Sequence, residues 1–263
     1  MESISRPNDG PSDVVGGRLA KPRGIRSPKR LARIAGFLYL LVGIFGGFAE
    51  GFVEPKMYAA GNAAATAGNL IANSGLVRLG VVADLLDGTV FIFLAMTLYI
   101  LLKDVHKSVA RAMLILVALA TGIICLSALF EFEGLRVATG AVNLGVFGTR
   151  GSNALVLLLL DAQHYGLLIA QIFFGLWLAP LGYLAYKSGW FPKTLGVVLI
   201  VASVSYLVDM LAAFLVPALG KEIHIMASIV PAIAEPWMVL YLLVIGVRAV
   251  KPAKRILSAE LAG

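Results

Sequence analysis

Between Arg33 and Val247 the apolar positions come in six long blocks, unlike the alternation of a half-buried strand or the single stripe of a surface helix. The blocks run from about Arg33 to Val53, Leu76 to Leu102, Ala112 to Phe130, Ala162 to Tyr186, Thr194 to Val216 and Ile225 to Val247. Each exceeds the ~17 continuous residues a helix needs to cross a ~30 Å hydrocarbon core, whereas barrel strands alternate over ~10. The pattern predicts an all-α fold, a polytopic transmembrane helix bundle of six spans. Two further stretches, Ala59 to Gly75 and Ala141 to Leu160, are rich in Ala, Gly, Asn and Ser. They read as interfacial or re-entrant pieces, with a seventh span as the alternative.

Composition agrees: hydrophobic residues make up 59% and charged ones 14%, and the mean hydropathy is +0.89. A single membrane domain over residues 31–250 is the economical organisation, with a basic tail at 1–30 and a short tail at 251–263. The first tail mixes Pro, Gly, Ser and Arg without an apolar period and is expected to be disordered. A cleavable leader is not expected, because that tail is long and Glu50 spoils a small-residue cleavage site near the end of the first block.

Charge sets the orientation. Of 22 Lys and Arg, seventeen fall in the N-terminal tail through Arg33, Lys103 to Arg111, Lys187 to Lys193 and the segment from Arg248. The other five are Lys56, Arg78, Arg136, Arg150 and Lys221. This asymmetry places both termini in the cytoplasm, as an even number of spans requires, in a multi-pass protein of the cell membrane. The net charge of +7 is thus a matter of topology, and no nucleic-acid partner is expected; the partner is the lipid bilayer, on which the basic tail lies. Cys125 stands alone, which rules out an intramolecular disulfide and leaves it a packing role.

The polar positions that interrupt the apolar blocks are where chemistry would sit. Glu50, Asp84, Asp87, Asp161, Asp209 and Glu235 are placed in the outer halves of the spans, with Asp161 and His164 opening the fourth and Arg78 at the outer mouth of the second. A bare charge at bilayer depth costs ~2.5 kcal/mol or more, so such groups face a bundle interior, pair, or line a wet cavity. Asp84 and Asp87 share a helix face, as do Asp161 and His164, and Gln171 continues the His164 stripe. Together these eight residues, Glu50, Arg78, Asp84, Asp87, Asp161, His164, Asp209 and Glu235, predict one outward-facing polar pocket for substrate or protons. Gly43, Gly47 and Gly51 repeat at four-residue spacing and read as a helix-packing stripe.

The pieces RLARIAGFLYLLVGI, NAAATAGNLIANSGLVRLGVVADLLD, DAQHYGLLIAQIFFGLWLAPLGYLAYKSGWFPKTLGVVL and EPWMVLYLLVIGV resemble the bacterial integral membrane family catalogued as domain of unknown function 4386. The resemblance covers about Arg33 to Val247. Its most specific stretches are Arg78-Leu79-Gly80 with Asp84, Asp161 with His164-Tyr165-Gly166, and the turn Lys187 to Pro192. It implies a multi-pass protein of a bacterial inner membrane and carries no established activity.

Three chemistries remain open on the residues alone. The first is binding or movement of a small solute or lipid-like ligand with proton linkage, since acids at depth exchange protons and an imidazole beside a carboxylate is a natural relay. The second is an intramembrane enzyme, metal-assisted or not, with Asp161 and His164 as acid and base. The third is a polar network that only fixes helix packing in a structural or interaction protein. Only His164 of three histidines is well placed for a metal, so no metal ligands are assigned and the cofactor is unknown. Ser203 and Ser205 lack a nucleophile-elbow context, and no inverted repeat marks a transporter.

Overall fold

The computed structural model describes residues 27–248 apart from Asn143. The tail at 251–263, and that at 1–30 up to Arg26, lie outside the described residues. The chain is an all-α bundle, with no strand among the described residues and six helices long and apolar enough to cross a membrane. In chain order the helices are α1 (Pro28–Phe48), α2 (Glu54–Met57), α3 (Ala63–Ala72), α4 (Ser74–Leu102), α5 (Lys107–Ala138), α6 (Gly148–Ser188), α7 (Lys193–Leu215) and α8 (Pro217–Leu240). Ser27 caps α1, its side chain accepting from the Arg30 N–H, with Pro28 at the first helical position. Gly189 ends α6 at φ 69°, a left-handed conformation that favours glycine.

Two wide π turns extend the outer elements. Ala49–Val53 joins α1 to α2, because Pro55 lacks an N–H and its ring would crowd the Gly51 carbonyl of a regular helix. Tyr241–Ile245 prolongs α8 and closes on Gly246, whose N–H donates to the Tyr241 carbonyl.

The long helices pack in sequence, α1 on α4, α4 on α5, and so on to α7 on α8. One end of the bundle, called here the near face, carries the start of α1, the α4–α5 and α6–α7 turns and Arg248; the far face carries α3 and the other turns. The ring closes at the near face, where α1 meets the 241–245 turn. A Cβ on Gly36 would stand 2.8 Å from the Leu243 backbone N, and the Arg33 guanidinium donates to the Val244 carbonyl at 3.5 Å. The main core fills this end with Leu94, Leu98, Leu101, Met113, Leu178 and Leu181, all fully buried. Where α6 crosses α7 the backbones touch, a Cβ on Gly182 falling 2.6 Å from the Gly196 carbonyl oxygen.

The far face departs from the sequence reading. Residues 148–160 are neither re-entrant nor a separate span: they belong to α6, a helix of 41 residues and ~62 Å. Likewise α5 runs 32 residues to Ala138, eight beyond the predicted Phe130, so Glu131 is helical. Both overreach a ~30 Å hydrocarbon layer. Their overhang meets the ten-residue α3, too short to span, around a second cluster that includes Met57, Leu70, Val77, Leu135, Val156 and Leu160. Gly148, Gly151, Ser152 and Asn153 lower the hydropathy of the early α6 turns without breaking the helix. The consequence for the site is direct: Asp161 and His164 sit well inside α6 and do not open it.

Candidate functional site

Beyond the near-face closure α1 and α8 part, and a cavity of about 1180 Å³ occupies the space between them, α4 and α6. Its walls are largely apolar, with Val42, Leu167, Leu168 and Phe174 among them. Among the described residues five carboxyl groups line it, those of Glu50, Glu54, Asp84, Asp87 and Glu235, together with His164, His224 and Gln171, and no Lys or Arg does. Counted from the near-face helix ends at ~1.5 Å per residue, Glu235 lies about 15 Å in, Asp87 about 22 Å, Asp84 about 27 Å and Glu50 about 33 Å. Glu54 and His164 stand about 36–39 Å in, past the far edge of a ~30 Å hydrocarbon layer. The acids therefore form a ladder from mid-depth to the far face. Glu235 stands near the middle of such a layer, on α8, which starts at Pro217, eight residues before the predicted Ile225.

The bottom rung is built from three helices. Tyr39 of α1 donates to Glu235 Oε2 at 2.7 Å and Tyr206 of α7 to Oε1 at 2.9 Å, so both carboxylate oxygens are held. Tyr39 also packs edge-on against Trp177, and Trp177 against Phe91, which seals the cavity floor with aromatic rings. One rung higher, Asp87 is 5% exposed and its Oδ1 has no hydrogen-bond partner. A Cβ on Gly46 would lie 3.7 Å from that oxygen, in ordinary van der Waals contact, so this turn of α1 faces Asp87. Asp84 and Glu131 are also buried, 4% and 2% exposed, and Glu131 Oε1 has no hydrogen-bond partner among the described residues.

At the top, the two residues predicted to work together are separated. His164 Nδ1 meets Glu54 Oε1 at 2.7 Å, while Asp161 Oδ1 accepts from Tyr58 Oη at 2.6 Å; no hydrogen bond joins Asp161 to His164. Tyr58 stacks on the His164 imidazole with 5.1 Å between ring centres, tying the two pairs together. Burial first, and then the bond to Asp161, holds the Tyr58 phenol well above the ordinary tyrosine range.

Of the eight predicted site residues, Glu50, Asp84, Asp87, His164 and Glu235 line the cavity. Asp161 does not line it; it accepts from Tyr58, which stacks on the lining residue His164. Asp209 is buried behind the wall and accepts from or pairs with His224 Nδ1 at 2.9 Å. Arg78 is exposed and turned toward Phe132, its guanidinium 6.0 Å from the ring centre, with no ion pair to Asp84 or Glu50. Gly43, Gly47 and Gly51 do not pack a helix: a Cβ on any of them would meet nothing within 4 Å, and all three line the cavity. Sequence reasoning missed Glu54, Glu131 and His224, which fell beyond the predicted span ends. It also missed Tyr39 and Tyr206, whose rings look like ordinary apolar positions. No three His, Cys, Asp or Glu side chains among the described residues converge as a metal-ligand set.

Residues 34–246 match the family model described as "Domain of unknown function (DUF4386)". A similar protein, named only as an uncharacterised protein of Archaeoglobus fulgidus, is 32% identical over 130 residues, covering 49% of this chain and 62% of its own length. No solved structure matches.

Proposed function

This chain belongs to the family described as "Domain of unknown function (DUF4386)", and from that premise we propose that this multi-pass membrane protein binds a small organic cation in its cavity in exchange for protons. The observation that carries the reading is the lining itself: among the described residues five carboxyl groups face one space, and no Lys or Arg lines it with them. Charges at the depth of Asp84, Asp87 and Glu235 stand against a cost of ~2.5 kcal/mol or more each, which argues for a use beyond packing. The ligand is organic because the walls are apolar and roomy, the usual make-up of a small-molecule pocket, and because no ligand set for a bare metal ion converges there.

A cation and a proton compete for the same carboxylates, so binding releases protons and strengthens as the pH rises. Transfer along the ladder between mid-depth and the far face is the step a proton-linked carrier would use. The near face, with Lys29, Arg30, Arg33, Lys103, Lys107, Arg111, Lys187, Lys193 and Arg248, is assigned to the cytoplasm by its basic residues.

The test is equilibrium binding of radiolabelled tetramethylammonium to the full chain in lipid nanodiscs, with a pH indicator reading proton release. Saturable binding that rises with pH and is lost in Asp87→Asn and Glu235→Gln is expected. Absence of binding, or equal uptake of acetate, would overturn the reading.

A further inference from the structure

Resting on that reading, we infer that the ligand is an amphiphile, a cationic head on a single apolar tail, and that it reaches the cavity sideways from the bilayer through the gap between α1 and α8. At Gly36, α1 touches the 241–245 turn that prolongs α8, and the two helices are linked once more by the Tyr39–Glu235 bond. From there outward they separate, and the Gly43-Gly47-Gly51 stripe of α1 looks into open space. Leu40, Ile44 and Leu240 line the cavity and are at the same time 40%, 51% and 60% exposed. One and the same wall is therefore both cavity lining and outer surface of the bundle. Gly43 and Gly47 lie about 22 and 28 Å from the near-face end of α1, within a ~30 Å hydrocarbon layer, so the gap opens onto lipid tails and not onto water.

Immediately behind the gap stand Asp87, nine-tenths buried with an oxygen that no protein group satisfies, and Glu235. This juxtaposition selects the ligand class. A wholly soluble cation can arrive from the far face past Glu54 and His224 and has no need of a lipid-side opening. A neutral or anionic lipid would meet uncompensated carboxylates. A second copy of the chain seated on the glycine stripe would cover the apolar rim and still leave the acids without a counter-charge. An alkylammonium satisfies both parts, its head on the Asp87 and Glu235 carboxyls and its tail along the bare backbone face that the glycines leave.

The experiment compares dodecyltrimethylammonium with tetramethylammonium on the full chain in nanodiscs, for wild type, Gly47→Leu and Ile44→Trp. The tail should improve binding to wild type by tenfold or more, since each buried methylene contributes and about two suffice for that factor. Either variant fills the gap from the side and should remove most of that gain, read as the ratio of dodecyltrimethylammonium to tetramethylammonium affinity within the same variant. Ile44 is already half exposed, so its variant keeps the test usable if Gly47→Leu does not fold.

If tetramethylammonium binds and the tail adds nothing, or if both variants leave the gain intact, the lateral route is wrong and the cation reading stands. If neither cation binds wild type, the cation reading fails and takes the inference with it. If chains carrying Gly43→Cys in a Cys125→Ala background cross-link in pairs, undisturbed by dodecyltrimethylammonium, the stripe is a seam between copies and the inference is overturned.

Discussion

Removing the Asp87 carboxyl should make the protein more stable. Asp87 is 5% exposed, its Oδ1 finds no partner among the described residues, and the cavity it borders is shared with the carboxyl groups of Asp84 and Glu235. A buried polar atom without a partner costs ~1–3 kcal/mol, and a charge at bilayer depth ~2.5 kcal/mol or more. Truncation opens no new void of consequence, because the side chain already borders a cavity of about 1180 Å³. Asp87→Ala should therefore stabilise the fold by ~1–3 kcal/mol while abolishing cation binding, the opposition expected where function holds a strained group in place. Reversible unfolding in mixed detergent micelles, followed by tryptophan fluorescence, measures this. Trp177 is a suitable reporter: it is 1% exposed and packs edge-on against Phe91, one helical turn from Asp87. A loss of ~1 kcal/mol or more would show that Asp87 supports the bundle through a partner, and would refute the argument that its retention is functional.

The glycines should divide by what faces them. Gly182→Ala, whose Cβ would meet the Gly196 carbonyl oxygen at 2.6 Å, is expected to cost ~1–3 kcal/mol in the same unfolding assay, whereas Gly43→Ala, with nothing within 4 Å, should cost none. Tyr39→Phe should lose ~0.5–1.5 kcal/mol through its hydrogen bond to Glu235. Combined with Glu235→Ala its effect should be less than additive by more than ~0.5 kcal/mol, and strict additivity would deny the contact. The Tyr58 phenol, held above its ordinary range, should show tyrosinate absorbance only well past the usual ~10. Its bond to Asp161 is then intact below that value and is lost as the pH climbs through the higher folded pKa, a delay that Asp161→Asn should shorten.

The six crossings were legible in the chain because hydropathy is a property of consecutive residues, and a bilayer demands it over a fixed length whatever the neighbours do. The acids were legible for the same reason, as costly intruders in apolar runs: Glu50, Asp84, Asp87 and Glu235 all face the cavity. What the chain could not disclose was rotation and reach. Whether Gly43 and Gly47 press on a helix or look into open space depends on the path of α8, and Pro231 and Pro236 inside it remove hydrogen bonds without giving that path. The length of α6 was hidden because Asp161 mimics a helix end, while the helix runs on, with α5 and α3 covering its far-face turns. Partnership was equally out of reach: Tyr39 and Glu235 are 196 residues apart in sequence, and His164 and Glu54 110. Only the closing of the ring brings such pairs within hydrogen-bond distance, and only its failure to close beyond Gly36 makes the space between α1 and α8.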